Sequence, residues 1–533
     1  ILLEKTSFIV VLFLLISKLK IFKKIFEKDK YTQKDLFVIS IIFTVLSIMG
    51  TYNGIVYKGS ILNTRIITIV SGGILFGPFV SIPTGIISGV HRLLMYPGSM
   101  TSIPCFISSI FAGIFSGLFY KKIRPNYKVF YGILVGIISE NITIILIYLL
   151  CTPKELALDI IHTIYLPLVV GQFGIGFMVS IVNTIEKDKK EKFLNDLKKE
   201  MSLYTNKDRK INTIFFGGGT PSILSNTEMK MIMDEINKNF CIDKDAEISM
   251  ECNPGTLNKE KLEFMKSLGI NRLSIGLQAV QEDLLGYIGR IHNYEQFEKN
   301  YIEARKAGFK NINIDLMYNL PHQTFEDWKE TLDKIIGLNP EHISAYSLIL
   351  EEGTQLYDMY MDKDFELSDE DEDIKMYEYA IECLKLNGYN QYEISNYAKE
   401  GYECKHNILY WKCKNYIGLG PGASGYINNV RYNNVKDLDD YHDKLSKNEK
   451  PIEFCENLTE KDKIEEKIIM GLRMNDGIIF KDFEEFGINF EEKYKEQLKK
   501  HESLDLITKT NKGFKFTQKG REISNNIFLD YID

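Results

Sequence analysis

Residues 211–222 read INTIFFGGGTPS. Gly217, Gly218 and Gly219 close a short apolar run. Three glycines together let the chain turn sharply and let a ligand approach the backbone closely. The N–H groups of such a turn can hold a carboxylate, and its carbonyls can accept from an ammonium. Thr220 follows directly. Four further polar residues, Glu251, Asn253, Gln278 and Asp315, stand where later apolar runs end. Arg290, in GRIH (289–292), offers a guanidinium that could meet a carboxylate. A single glycine run is often only a tight turn. Recurrence of polar residues at successive run ends points to a ligand site.

Alternating strands and helices must position these residues. The patterns predict strands at 211–216, 247–252, 272–277, 311–317 and 342–349. Helices are predicted at 194–203, 293–307 and 325–336. Ser225-Asn-Thr-Glu228 is a capping box opening another, Thr324 is an N-cap, and Gly269 and Gly308 end helices. Repeated strand–helix units imply a parallel sheet or barrel, with the site at the C-terminal strand ends.

Residues 1–185 differ sharply from the rest. The chain of 533 residues is 45% hydrophobic, with mean hydropathy −0.13, but long apolar runs concentrate before residue 185. Stretches 36–57, 103–120, 129–151 and 161–185 approach the roughly 20 residues needed to cross a bilayer, and 7–16 is shorter. The run 66–90 holds Gly72, Gly73, Gly77, Pro78, Pro83, Gly85 and Gly89, which predicts a broken or re-entrant segment buried among other helices. Basic loops at 18–34, 121–128 and 187–192 predict five crossings with these loops, and the C-terminal portion, in the cytoplasm of a multi-pass cell-membrane protein. Arg65, His91 and Arg92 then flank the broken segment on the outer side, and Glu140 and Asn141 sit within a span. The net charge of −7 argues against a nucleic-acid partner. Eight cysteines form no C-x2-C pair, so neither a zinc finger nor a disulfide framework is expected. The chain begins with Ile1 rather than Met, which leads us to expect further residues ahead of it.

Beyond residue 194 the motifs GGGTPS (217–222), ECNPGT (251–256), NRLSIGLQ (271–278), GRIH, IDLMYNLP (314–321), HNILYW (406–411) and GLGPGASGY (418–426) resemble the radical S-adenosylmethionine family of oxygen-independent coproporphyrinogen III oxidases. HN-x2-YW and GLGPGA resemble its heme-chaperone branch. The resemblance implies that Gly218, Gly219 and Thr220 bind the methionine end of S-adenosylmethionine, and that Glu251, Gln278, Arg290 and Asp315 contact the remainder. It implies His406 as a heme-iron ligand, with Tyr410 and Trp411 available to cover a porphyrin face. The family also carries a first strand and a C-x3-C-x2-C loop for a [4Fe–4S] cluster. No cysteine triplet here has that spacing, although thiolates are what hold such clusters. Without the first strand, the strand at 211–216 is left as a sheet edge.

Residues 63–65, 72–79 (GGILFGPF) and 85–92 (GIISGVHR) resemble the five-transmembrane receptor region of LytS-type sensor kinases. Residues 458–533 resemble the winged-helix-like module that ends the oxidase family. The expected architecture is therefore multidomain: an α-helical membrane bundle (1–185), a charged linker (186–193), an α/β partial barrel lacking its first strand (194–380), a heme-binding and linking region (381–457) and a small winged-helix-like domain (458–533). The expected function is a membrane-anchored heme chaperone unable to do radical chemistry, with heme or porphyrin, the lipid bilayer and a heme-accepting apoprotein as partners. Alternatives are a coproporphyrinogen III dehydrogenase, an envelope-signal receptor using the membrane part, or a chimeric gene model that wrongly joins two neighbours.

Overall fold

The computed structural model describes residues 2–19, 22, 25–26, 31–120, 122–123 and 127–532. The chain divides into two compact units, residues 1–192 and 193–533. The basic loops expected at 18–34 and 121–128 lie in large part outside the described residues.

The first unit is helical: α1 Leu2–Ser17, α2 Gln33–Tyr52, α3 Arg65–Phe76, α4 Pro78–Met95, α5 Ser102–Leu118, α6 Lys128–Leu150, α7 Lys154–Gly171 and α8 Phe173–Leu203. Among the described residues, three stretches are long and apolar enough to cross a membrane: 33–52, 128–150 and the 50 residues 154–203. The expected span 36–57 ends early, because Asn53 caps α2 and Ile55–Tyr57 (β1) pairs with Ser60–Leu62 (β2) in a small hairpin. The expected break in 66–90 is at Gly77, whose φ of 84° is followed by Pro78 at the start of α4. An added Cβ on Gly85 would meet the Ser109 carbonyl at 2.5 Å, and one on Gly113 would meet that of Ser81 at 2.6 Å. Small residues four apart thus bring α4 and α5 into backbone contact, running antiparallel. Residues 161–185 are not one helix: α7 ends at Gly171, four residues after Pro167. The charged linker expected at 186–193 is helical, since α8 runs through it. Its lysines and glutamates are good helix formers.

The second unit is built on a seven-stranded sheet: β3 Asn206–Phe216, β4 Phe240–Cys252, β5 Arg272–Gln278, β6 Ile312–Tyr318, β7 His342–Ser347, β8 Asn390–Glu393 and β9 Asn396–Ala398, in the order β3-β4-β5-β6-β7-β9-β8. The first five strands are parallel; β9 and β8 pair antiparallel. Helices 226–239, 259–267, 294–306 and 325–338 return the chain between parallel strands. The capping boxes at Ser225 and Thr324 form, and Asp369 caps the helix opened by the acidic run. Ile248, Met250, Leu273, Ile275, Ile312, Ile314 and Ile343 are buried in the main core. The alternate residues are polar. The register sets Thr213 beside Glu247, Phe215 beside Ser249 and Arg272, and Glu251 beside Ser274 and Asn313, with His342 next. Parallel sheets are ordinarily apolar on both faces, so this polar face departs from what packing alone requires.

Residues 458–532 form a smaller body with its own core, including Phe483, Phe490, Phe514 and Tyr531. Its strands 478–479, 513–516 and 507–509 make a three-stranded antiparallel sheet. Helices Phe490–Lys493 and Lys495–Ser503 meet at Tyr494.

Candidate functional site

The glycine turn sits at the C-terminal end of β3. Gly218 has φ 104°, a conformation that side chains rarely adopt. Its N–H donates to Glu251 Oε2 at 3.2 Å. A Cβ on Gly217 would strike the Phe215 ring and the Glu251 carboxylate, whereas Gly218 and Gly219 face open space. Asn253 Nδ2 donates to Thr220 Oγ1 at 3.1 Å, and Arg290 Nη1 reaches Asn253 Oδ1 at 3.5 Å. Asp315 accepts from Ser274 Oγ at 3.1 Å and Asn313 Nδ2 at 2.7 Å. Gln278 holds φ 77° at a register shift between β5 and β6, and its amide lies over Gly276 beside Asn253.

These residues share one electrostatic environment. Burial, then the Asp315 charge, raises the Glu251 carboxyl above its ordinary range, and the Gly218 N–H partly offsets this. Burial lowers the Arg290 guanidinium while Asp315 draws it back up. Gly218, Thr220, Glu251, Gln278, Arg290 and Asp315 are thus brought to one end of the sheet around Asn253, with Gly219 open beside them. Two carboxylates, one guanidinium and the glycine turn can receive a ligand carrying both an ammonium and a carboxylate.

His406 lies elsewhere on the polar face. Helix Lys405–Trp411 packs on β3, which only β4 pairs among the described residues. Glu247 accepts the backbone N–H groups of Lys405 and His406, each at 3.2 Å, placing negative charge at the helix start. Both imidazole nitrogens are engaged: Nδ1 with Thr213 Oγ1 at 2.9 Å and Nε2 with the Tyr410 hydroxyl at 2.8 Å. The ring stacks on Phe215, centroids 5.2 Å apart. Burial, and then the Arg272 charge, lowers His406 to about 4, so the imidazole is neutral at physiological pH, the form that binds metals. The Arg473 guanidinium lies over the Trp411 ring, 5.8 Å from its centroid.

A loop of glycines lies beyond this helix. Gly420 (φ 105°) donates to Glu200 at 2.7 Å, which also accepts from Asn434 and the Tyr441 hydroxyl, each at 2.6 Å. Among the described residues, the one thiol at the strand ends with the glycine turn is Cys252; it is buried and directed at the Met250 carbonyl at 3.6 Å. Burial pushes it well up, away from the thiolate form. Among the described residues, no three histidine, cysteine or acidic side chains converge as metal ligands. The polar face itself, with Arg272, Asn313 and His342, went unread in the sequence, although the alternation of INIDLMY and HISAYS carries its signal.

In the membrane unit, Arg65 Nε donates to Ser109 Oγ at 2.7 Å and Nη2 to the Cys105 carbonyl at 2.9 Å. Glu140 accepts from Gln172 at 3.1 Å, and Asn141 bonds back to the Ile137 carbonyl at 2.8 Å.

Three family models match the chain: "5TMR of 5TMR-LYT" over 19–185, the radical SAM superfamily over 177–335 and the HemN C-terminal domain over 458–523. The heme chaperone HemW of Bacillus subtilis is 35% identical over 352 residues, covering 65% of this chain and 93% of that protein. The protein of the same name from Lactococcus lactis is 38% identical over 324 residues, 61% of this chain and 85% of its own. Coproporphyrinogen III oxidase (HemN) from Escherichia coli shares the fold at TM-score 0.57 and 24% identity, covering 65% of this chain and 84% of that one. Similarity over nearly the whole length of these relatives places residues beyond the membrane unit in one family, and the chain belongs to the HemW heme-chaperone family.

Proposed function

We propose that this chain is a membrane-anchored heme-binding protein that takes heme at His406 and delivers it to an apoprotein, without radical chemistry. The observation that carries this reading is a neutral imidazole held on the polar face between Thr213, Phe215 and Tyr410. Nε2, whose present partner is the Tyr410 hydroxyl, is the nitrogen that would hold the iron. Gly218, Gly219 and Thr220 would hold the methionine end of S-adenosylmethionine, with Glu251, Gln278, Arg290 and Asp315 around the rest. The residues present do not fit a [4Fe–4S] cluster, because one buried, protonated thiol cannot hold four irons. The relatives named as heme chaperones, together with the 5TMR match, support a membrane-tethered version of that activity. The basic residues at 121–128 and 187–192 support a cytoplasmic position for the soluble unit. We divide that unit into a partial barrel (194–380), a heme-binding and linking region (381–457) and the C-terminal domain (458–533).

The test is a heme titration of the full chain in detergent or nanodiscs. A Soret shift is expected, weakened by His406→Ala and strengthened by Tyr410→Phe, which frees Nε2. An unchanged Soret band in His406→Ala removes His406 as ligand. Topology is tested with Lys122→Cys in a chain with its native cysteines replaced; labelling by an impermeant reagent from outside intact cells contradicts a cytoplasmic soluble unit.

A second reading, a receptor for a small anion in the membrane unit, is favoured by one observation. Arg65 and Arg92 are both buried, and Arg65 Nη1 and Arg92 Nε and Nη1 have no hydrogen-bond partner. Arg65 lines a cavity of about 30 Å³ with Asn63, Cys105 and Glu140. Thermal shift of the membrane unit's unfolding by small carboxylates, lost in Arg65→Gln, is the check; no shift with any of them dismisses it.

A further inference from the structure

Arg272 opens β5 and is 2% exposed. Among the described residues its side chain makes no ion pair or hydrogen bond and lies over no ring, and its Nε is buried without a partner. Ser249, its register neighbour on β4, is 0% exposed, and its hydroxyl also lacks a partner. A buried, uncompensated guanidinium costs several kcal/mol, and burying a hydroxyl unpaired adds to that. The acidic residues of the same polar face make their hydrogen bonds with other partners. Glu247 holds the start of helix 405–411, Glu251 accepts from Gly218, and Asp315 accepts from Ser274 and Asn313. The fork of an arginine with an adjacent hydroxyl is the donor set for a carboxylate.

The register says which carboxylate. Phe215, Ser249 and Arg272 form one layer across three strands, and the His406 ring stacks on Phe215. Arg272 is thus two strands from the imidazole, roughly 10 Å at about 4.8 Å per strand. The Arg272 charge acts on both His406 and His342, which agrees with a shared interior. The glycine-turn site is farther away: Gly276 is four residues along β5, roughly 13 Å at about 3.3 Å per residue.

We propose that Arg272 and Ser249 form a carboxylate subsite within the half-barrel that takes a propionate of the heme ligated by His406. This assignment rests on the heme reading above. Free heme then binds through two anchors, iron at the imidazole and propionate at the guanidinium, and the orphaned charge is neutralised only in the loaded protein.

The test uses the full chain in nanodiscs, titrated with heme and with heme dimethyl ester, whose propionates carry no charge. Wild-type protein should bind heme at least about tenfold more tightly than the ester. Arg272→Gln should bring heme down to the ester's affinity, and Arg272→Lys should fall between, having a charge but no fork. Equal binding of heme and ester by the wild type, which requires no variant to fold, overturns the assignment and leaves the heme reading intact. So does a wild-type preference retained in Arg272→Gln. No Soret change with either porphyrin removes both. Excess S-adenosylmethionine should leave the preference untouched; if it competes with heme but not with the ester, the subsite serves that carboxylate instead and the assignment fails.

Discussion

Two buried charges in the second unit have opposite surroundings. Glu200, at the end of α8, is 0% exposed and receives a backbone N–H, an amide and a phenol from the glycine loop, Asn434 and Tyr441. Arg272, on the polar face of the half-barrel, is almost as deeply buried and receives nothing. Burial of a charge is tolerable when donors or acceptors replace water. The first site is complete within the chain and reads as structure: it fixes the GLGPGA loop behind helix 405–411. The second is completed from outside, and reads as a place for a ligand.

If that contrast is right, the two charges respond to removal with opposite signs. Glu200→Ala orphans three donors and should destabilise the soluble unit by about 3 kcal/mol, seen as a lower unfolding midpoint of the full chain in detergent and faster amide exchange at Gly420. A midpoint unchanged within error would mean water replaces the carboxylate, and the clamp is not structural. Arg272→Met removes an uncompensated charge while keeping an unbranched apolar stem. It should raise the midpoint of heme-free protein, by about 1 kcal/mol, and a clear loss would show that Arg272 has a partner within the fold.

The smallest effect is with pH. Burial holds the Glu200 carboxyl above its ordinary value of 4.5, outweighing the donors Tyr441, Gly420 and Asn434. The folded chain then holds this proton more tightly than the unfolded chain. The associated stability is complete below about pH 4.5 and is lost as pH rises through the raised value. Glu200→Gln should flatten that part of the stability–pH curve; a curve identical to wild type assigns the slope to other groups.

The glycine-turn site was legible because its signals are local. Gly217 to Thr220, Glu251 and Asp315 each end an apolar run, and the strands holding them alternate visibly with capped helices. Arg272 was hidden because RLSIGL reads as a continuous buried strand, and sequence alone does not say that its arginine points into the concave face. His406 was found by its motif, but its engagement with Thr213 and Tyr410 joins residues 193 positions apart with a helical i,i+4 pair, and only the fold brings the threonine there. The charged linker at 186–193 shows what composition alone leaves unsaid, its conformation. A run of lysine and glutamate looks like a solvated joint, yet those residues favour a helix, and α8 continues through them to deliver Glu200 to its clamp.

The central claim is that heme binding in this chain is independent of cluster chemistry. The most direct measurement is anaerobic treatment of the full-length protein with iron and sulfide, then desalting, assay of acid-labile sulfide and heme titration of the same sample. The account predicts negligible sulfide and a stoichiometric Soret complex that Arg272→Gln and His406→Ala each weaken. Near-stoichiometric iron and sulfide, or heme binding only after their incorporation, would contradict it.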